Sequence, residues 1–131
     1  MQSNINNLCL CGSTKLYAEC CEPFHKGGLY PQTAEELMRS RFVAFEMHLK
    51  DYLLNTWYES TRPGNLEFTP NLHWTKLTIN GRKKGRKKDS EGWVTFTAYY
   101  QQEGSNGYLH EKSYFIRDTL GHWQYVDGEI K

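Results

Sequence analysis

The sequence predicts an α+β protein in which helices come first and an antiparallel sheet follows. Three observations carry this prediction: four cysteines within 9–21, a helical apolar pattern over 33–56, and alternating apolar residues over 73–127. A chain of 131 residues suits one domain with a small appendage. We place a cysteine-rich unit at 1–31 and the α+β body, with helices on one face of a curved sheet, at 32–131.

The composition excludes some classes of protein. The mean hydropathy is −0.76, and no apolar run is long enough to predict a membrane span. Aromatic residues make up 15% of the chain, which argues against a disordered protein. The net charge of +1 hides an asymmetry, because 82–88 carries six positive charges and leaves −5 on the rest.

The cysteines form one cluster with the pattern C-x-C-x8-C-C: Cys9, Cys11, Cys20 and Cys21. Met1–Leu8 has neither the basic nor the apolar region of a secretory signal, so we expect a cytoplasmic protein with reduced thiols. Adjacent cysteines do not readily form an unstrained bridge with each other. Such a cluster is typical of metal binding or redox chemistry.

A structural zinc ion is the first interpretation of this cluster. Four thiolates suit tetrahedral Zn²⁺, and a metal would supply the folding energy that so short a segment lacks. Gly12 permits the backbone reversal between the cysteine pairs, and Ser13 is a candidate N-cap for a helical turn at 15–20. His25 is a substitute ligand if one cysteine points away. Four free thiols and a redox-active thiol pair remain the alternatives.

The helical region has a clear beginning. Thr33 and Glu36 have the spacing of a capping box. One apolar stripe then recurs every three or four residues: Met38, Phe42, Phe45, Leu49, Tyr52 and Leu53. We predict helix to about Thr56, with a break near Lys50–Asp51 where a second helix starts.

The remaining chain has the alternation and turn chemistry of strands. We predict four strands: 73–80, 93–102, 108–117 and 122–127. Turns rich in glycine and polar residues fall at 103–107 and 118–121. Short connections of this kind join neighbouring antiparallel strands.

These residues also carry a family likeness. The segment Cys9–Cys21 resembles the SEC-C zinc motif, and several further segments accompany it in order: Leu37–Phe45, Asp51–Trp57, Ser60–Pro63, Leu109–Phe115 and Trp123–Gly128. Together they resemble the YchJ-like family of small bacterial proteins. The resemblance implies a nuclear-transport-factor-2-like (NTF2-like) cone of helices against a curved sheet, and zinc held by the four cysteines. The family has no established reaction.

The chain departs from the family pattern at two places. Leu10 stands where the family often has proline, which affects the stiffness of the turn and not its ligands. Tyr58 and Glu59 follow Trp57, where a His-Pro pair is common in the family. That histidine therefore cannot be a catalytic base in this chain, and we assign no catalytic residue.

The cone implied by the resemblance normally encloses a cavity, which is a default ligand site. Candidate lining residues are Arg39, Arg41, Trp57, Trp74, Tyr99, His110 and Trp123. His110 and Glu111 are adjacent on a strand, so their side chains should point to opposite faces. The alternative is that the aromatic residues fill the core and the arginines make anchoring hydrogen bonds.

The basic segment is predicted to be a flexible, solvated hairpin loop. It contains Arg82, Lys83, Lys84, Arg86, Lys87 and Lys88. A charge cluster of this kind neutralises phosphates in a salt-sensitive manner, so a polyanion is a candidate partner. The alternative is a solvated loop with no dedicated partner.

We therefore expect a non-enzymatic, zinc-binding adaptor whose cysteine-rich unit contacts a protein partner. The alternative is a small-molecule-binding or enzymatic cavity in the body. A third hypothesis is nucleic-acid contact through 82–88.

Overall fold

The chain folds as short helices packed on one face of a four-stranded antiparallel sheet, as the sequence predicts. This architecture comes from a computed structural model that describes residues 7–131. Residues 1–6 of the predicted cysteine-rich unit, and most of the segment inspected for a secretory signal, lie outside the described residues.

Helical elements precede the sheet. A 3₁₀ turn spans Tyr17–Glu19, and a one-turn helix α1 spans Glu22–His25. The main helix α2 spans Ala34–Met47, and α3 spans Lys50–Asn55. Within residues 7–131, no helix is both long and apolar enough to cross a bilayer.

The ends of α2 follow the sequence prediction closely. The Glu36 amide donates to Thr33 Oγ1 at 3.1 Å, and the Glu36 carboxylate accepts from the Gln32 amide at 2.7 Å. The carboxylate thus reaches one residue further back than in a standard capping box. The helix ends at His48, whose φ of +57° reverses the backbone before α3 begins. The predicted break near Lys50 is confirmed.

The sheet is a simple meander in the order β1-β2-β3-β4. Its strands are β1 (Leu72–Lys84), β2 (Glu91–Gln102), β3 (Ser105–Arg117) and β4 (Trp123–Ile130). All four predicted strands are present, and each extends beyond its predicted range. Extension of β1 matters most, because it takes in the first half of the basic segment.

Turns and bulges give the sheet its shape. The β2–β3 connection is a two-residue turn, in which Glu103 and Gly104 both have positive φ, 50° and 86°. Register shifts occur between Trp74 and Lys76 in β1, and between Tyr114 and Phe115 in β3. Such bulges bend a strand and increase its twist, so the sheet curves around the helices.

The core lies between α2 and the concave face of the sheet. It is one contiguous cluster that unites both parts of the chain: Cys9, Cys11, Cys21, Ala34, Leu37, Met38, Phe42, Val43, Leu77, Val94, Phe96, Ala98, Phe115 and Trp123. Three of the four cysteines therefore pack directly with the body. The boundary at residue 31 stays a prediction.

Candidate metal centre and cavity

The four cysteines converge on one point. Their Sγ atoms all lie within 4.8 Å of one another. Cys11 and Cys20 are 3.6 Å apart, and Cys20 and Cys21 are 3.9 Å apart. A tetrahedral ZnS₄ site with bonds of about 2.3 Å needs sulfurs about 3.8 Å apart. All four thiols are free, so the donor set and its spacing fit a tetrahedral thiolate-bound metal ion.

A tight turn brings the first two cysteines together. Gly12 has a φ of +87°, and a Cβ there would lie 3.3 Å from the Leu77 carbonyl oxygen of β1. The Cys9 amide closes the loop by donating to the Lys15 carbonyl at 2.8 Å. The predicted reversal at Gly12 is confirmed, and the positive φ with the close approach to β1 explains the glycine.

Arg39 fastens this turn to the body. Its Nε donates to Glu35 Oε2 at 2.9 Å, and its Nη1 donates to the Cys11 carbonyl oxygen at 2.5 Å. Because Arg39 and Glu35 are both on α2, the helix holds the backbone of a cluster cysteine directly.

Ser13 does not cap a helix, contrary to the prediction. The 3₁₀ turn begins later, at Tyr17, with Leu16 before it. The Ser13 hydroxyl instead lies 3.1 Å from Cys20 Sγ and accepts from the Lys15 amide at 3.2 Å. It is therefore placed to orient the least buried of the four sulfurs.

Because the thiols lie close together, their pKa values shift in opposite directions. Hydrogen bonds from the Cys21 and Cys9 thiols hold the pKa of Cys11 far below its usual range. The hydrogen bond to Cys11 raises the pKa of Cys9 to about 12, and the same contact raises the pKa of Cys21 strongly. Without metal, the raised pKa values favour protons on Cys9 and Cys21, and a metal ion must displace these protons.

His25 does not replace a cysteine as a ligand. Its Nε2 lies 2.8 Å from the Ser40 carbonyl oxygen, which can only accept, so Nε2 carries the hydrogen. Its Nδ1 therefore accepts from the Tyr17 hydroxyl at 2.8 Å. Both ring nitrogens are used, and burial lowers the pKa of His25.

His25 instead connects the cysteine-rich unit to the helices. Its ring packs edge-on against Tyr52 of α3, with centroids 4.9 Å apart. The Ser40 hydroxyl lies 2.6 Å from the Tyr52 hydroxyl. Through Ser40 and Tyr52, His25 joins α1 to α2 and α3.

The same two parts of the chain match known families. The SEC-C motif matches residues 6–23, and the family described as YchJ, middle NTF2-like domain, matches residues 33–128. The chain belongs to the YchJ-like family. Its relatives include a UPF0225 protein of Streptomyces avermitilis, 45% identical over 93% of this chain and 84% of the relative. Another, from Bordetella pertussis, is 41% identical over 94% and 92% of the two chains.

Two solved structures share the fold of this YchJ-like chain. A SEC-C motif-containing protein from Rhodopseudomonas palustris superposes with a TM-score of 0.82 and 29% identity, over 92% of this chain and 96% of that one. A second, from Psychrobacter arcticus, gives a TM-score of 0.76 at 22% identity, over 100% and 86% of the two chains. The likeness to the second protein concerns the fold alone.

The YchJ-like body contains a cavity of about 250 Å³ between its helices and the sheet. Most of its lining is apolar or aromatic: Met38, Phe42, Phe45, Trp57, Trp74, Phe96, Leu109 and Tyr125. The lining also contains three polar side chains, those of Arg41, Glu111 and Ser113. Of the seven residues predicted to line it, Arg41, Trp57 and Trp74 do so. The prediction that Arg39, Tyr99, His110 and Trp123 also line it is wrong.

Arg39 and Arg41 separate because they lie on one helix. Two residues along an α-helix turn the side chain by about 200°. Arg41 therefore faces the cavity, whereas Arg39 faces the cysteine-rich unit.

Tyr99 and His110 lie on the outer face of the sheet, since strand side chains alternate. Tyr99 is exposed and contacts Tyr108 with ring centroids 6.2 Å apart. The Thr97 hydroxyl donates its hydrogen to Asn80 Oδ1, so it can only accept from His110. The His110 Nδ1–H therefore donates to Thr97 Oγ1 at 2.9 Å. Glu111 faces the cavity instead, so the opposite orientation expected for this pair is observed.

Trp123 is part of the core. It is 2% exposed, and its Nε1 donates to the Gln32 carbonyl oxygen at 3.0 Å. The guanidinium of Arg117 lies 4.3 Å from its ring centroid. The alternative that aromatic residues fill the core applies to Trp123. Tyr125, which does line the cavity, lies two residues further along β4 and was detectable by strand alternation.

The first half of the basic segment is strand, not a flexible loop as predicted. β1 continues through Lys84, paired with β2. Arg82 bonds to Glu35 of α2, and the Lys83 ammonium lies 5.3 Å from the Trp93 ring centroid. The strand ladder and these contacts order a segment whose charges alone would extend it.

The second half is a closed turn. The Gly85 amide donates to the Glu91 carbonyl at 3.0 Å, and the Arg86 amide donates to Asp89 Oδ2 at 2.9 Å. Lys84 also lies 3.6 Å from the Glu91 carboxylate, and the Arg86 guanidinium lies 3.2 Å from Asp89. The prediction considered only residues 82–88 and therefore missed these carboxylates. Glu35 is distant in the sequence, and Asp89 and Glu91 come just after the basic segment.

Half of the basic side chains are thus paired with carboxylates. Within the basic segment, all of which the structure describes, Lys83, Lys87 and Lys88 have no such pairing. Asp89 and Glu91 each pair with one basic residue of the segment, whereas Glu35 is shared between Arg82 and Arg39, so the local excess of positive charge is reduced but not removed. Contact with a polyanion stays a prediction.

A groove lined by both apolar and polar side chains lies between α1, α3 and the β3–β4 turn. We call it the knuckle groove and define it by Phe24, Leu29, Tyr30, Leu120 and Trp123. Leu29, Tyr30 and Leu120 are 58%, 57% and 78% exposed. Clustered apolar side chains of this exposure are typical of interaction surfaces.

Proposed function

We propose that Cys9, Cys11, Cys20 and Cys21 bind one Zn²⁺ ion with a structural role. The observation that carries this proposal is the convergence of four free thiols within 4.8 Å. Four thiolates favour zinc over hard cations such as Mg²⁺ and Ca²⁺. A site closed by four protein ligands has no open position for substrate, so the ion stabilises structure. Its thiols must stay reduced, which is why we propose the cytosol as its location.

Zinc affinity should rise with pH in the full chain. Thiols such as Cys9, with a pKa near 12, hold protons at neutral pH, and the metal competes with those protons. Affinity is therefore present at high pH and is lost as pH falls. We expect at least about a tenfold loss per pH unit between pH 8 and pH 6. Titration with Co²⁺, read by its thiolate charge-transfer and d–d absorption, measures this. A pH-independent affinity would contradict thiolate ligation.

We further propose that the zinc-held unit is a protein-docking element, so the chain acts as a non-enzymatic adaptor. The knuckle groove supports this, because Leu29 and Tyr30 lie just after α1 and are exposed. His122 stacks on Tyr30 with centroids 3.8 Å apart and joins the groove to the β3–β4 turn. An apolar segment of a partner protein suits this surface.

Replacing Leu29 and Leu120 with serine should remove partner capture without changing the metal content. The affinity of a captured partner should fall about tenfold or more, since exposed apolar anchors contribute much of an interface's free energy. Tyr108→Ser is the matched control, because Tyr108 is 66% exposed on the other side of the sheet. Equal loss in the control, or no loss in the double variant, would contradict docking at this groove.

The cavity is a second candidate function, as a small-molecule-binding site. The observation that favours it is a mostly apolar space of about 250 Å³ with few polar side chains. Pockets of this composition bind small ligands, and the polar groups set their orientation. We propose binding and not catalysis, since His110 faces away from the cavity.

A further inference from the structure

Arg41 makes no direct ion pair in the cavity, although the Glu111 carboxylate of the same lining acts on its charge from further away. It is only 2% exposed. None of the ion pairs formed within residues 7–131 includes it. Glu111 also lines the cavity, but its Oε2 accepts from the Ser113 hydroxyl at 2.7 Å. A buried charge is normally paired, so this guanidinium requires an explanation.

Hydrogen bonds within the chain satisfy one nitrogen atom of the Arg41 guanidinium. Arg41 Nη1 donates to the Leu53 carbonyl oxygen at 2.8 Å and to Thr56 Oγ1 at 2.7 Å, which anchors the end of α3. Within the described part of the chain, Nε and Nη2 make no hydrogen bond. Those two nitrogens form the edge of a guanidinium that matches a carboxylate.

Two aromatic rings lie close to the Arg41 guanidinium. The centroids of Tyr125 and Trp57 lie 4.6 and 5.0 Å from Cζ, within the range of cation–π contacts. Burial lowers the pKa of Arg41 to about 10, so it remains charged at neutral pH. The cavity therefore contains a permanent, aromatic-bounded cation.

A second donor of the cavity lining lacks an acceptor. The indole Nε1–H of Trp57 is buried, and no atom of residues 7–131 accepts its hydrogen bond. Trp57 lies beside Arg41 on the cavity wall. An unpaired buried N–H is rare in folded proteins, and this one is too enclosed for a ligand in the cavity to reach it directly.

We propose that the cavity binds a small organic acid that carries one carboxylate and an apolar body. The carboxylate accepts from the unpaired edge of Arg41, and the apolar body contacts Phe42, Phe45 and Phe96. A volume of about 250 Å³ limits the body to roughly the size of one aromatic ring. This inference rests on the proposal that the cavity is a ligand site.

Glu111 makes the site selective for a single negative charge. Its carboxylate lies on the same cavity lining, and packs against Gly128 of β4. A second acidic group on the ligand would meet this carboxylate and be repelled. A hydroxyl on the ligand, in contrast, has Glu111 as an acceptor.

The test is titration of the full chain with benzoate and with benzamide, its neutral isostere. We expect benzoate to bind about 10- to 100-fold more tightly, the usual advantage of a charged acceptor. Nuclear magnetic resonance provides the readout: the Trp57 indole signal should shift with benzoate, because the ring lines the cavity beside Arg41. The Trp57→Phe variant assigns that signal and removes it.

Two variants separate the charge effect from folding. Arg41→Met should abolish the preference for benzoate, and its folding is checked by the spectrum. Glu111→Gln should tighten benzoate binding several-fold, because it removes a like charge and keeps the shape. Glu103→Gln, in the exposed β2–β3 turn, is the matched control and should have no effect.

The outcomes distinguish this inference from the cavity proposal itself. Equal binding of benzoate and benzamide, or no effect of Glu111→Gln, overturns the organic-acid class and leaves the cavity as a ligand site. Failure of both compounds to shift any cavity signal overturns both proposals.

Discussion

Replacing Cys11 with serine is expected to remove metal binding and to lower the free energy of unfolding by about 3 kcal/mol or more. Cys11 is fully buried and shares the core with Leu37 and Leu77, so loss of the ion affects the body as well. For a chain of this size, that loss lowers the melting temperature by about 10 °C. Calorimetry of the reduced protein measures it, and chelation of the wild-type chain should give a similar shift.

Ser13→Ala is the matched control for this variant. Its hydroxyl contacts Cys20 Sγ but is not a metal ligand in our account. The variant should retain the metal and lose about 1 kcal/mol, the usual value of one hydrogen bond. If Cys11→Ser melted at the wild-type temperature, or responded to chelator as the wild type does, the structural role of the ion would be refuted.

Replacing Phe115 with alanine is the second large expected effect, a loss of about 3–5 kcal/mol. Phe115 is fully buried on the concave face of β3, with its ring 5.9 Å from that of Tyr125. The substitution removes apolar contacts and leaves a cavity beneath α2. Chemical denaturation of the reduced, metal-loaded chain gives the difference.

Ile116→Ala provides the control on the same strand. Ile116 is the next residue, points to the outer face and is half-buried. Its replacement should lower the free energy of unfolding by about 1 kcal/mol. Similar losses for the two variants would mean that the assigned inward face of β3 is incorrect.

The sequence predicted the parts of the fold that depend on local patterns. The cap at Thr33 and the break before Lys50 follow from side-chain chemistry within a few residues, and both were found. Alternation correctly put the side chains of His110 and Glu111 on opposite faces of β3, but it did not tell which face is inward, and the prediction of His110 as the cavity residue was wrong.

The parts that failed depend on contacts between distant residues. Arg82 is ordered by Glu35, 47 positions earlier, and no local pattern reveals that pairing. Trp123 is held in the core by the Gln32 carbonyl, 91 positions away, so its aromatic character alone did not distinguish core from cavity.

The candidate metal site was predictable because four cysteines lie so close in sequence that a short loop brings them together. Their alternative ligand, His25, was excluded only by its hydrogen bonds to Tyr17 and Ser40. Arg41 was predicted from the sequence to line the cavity. Its lack of an ion pair could be seen only in the structure, because it depends on the residues that surround it among 7–131.

Metal analysis of the reduced full chain, prepared without chelators, tests the central claim most directly. We predict about one equivalent of zinc per wild-type chain, as four thiolates hold one ion. Ser13→Ala should contain the same amount and Cys11→Ser almost none. A reduced wild-type chain that binds no zinc after zinc is supplied, or a Cys11→Ser variant that retains a full equivalent, would contradict the account.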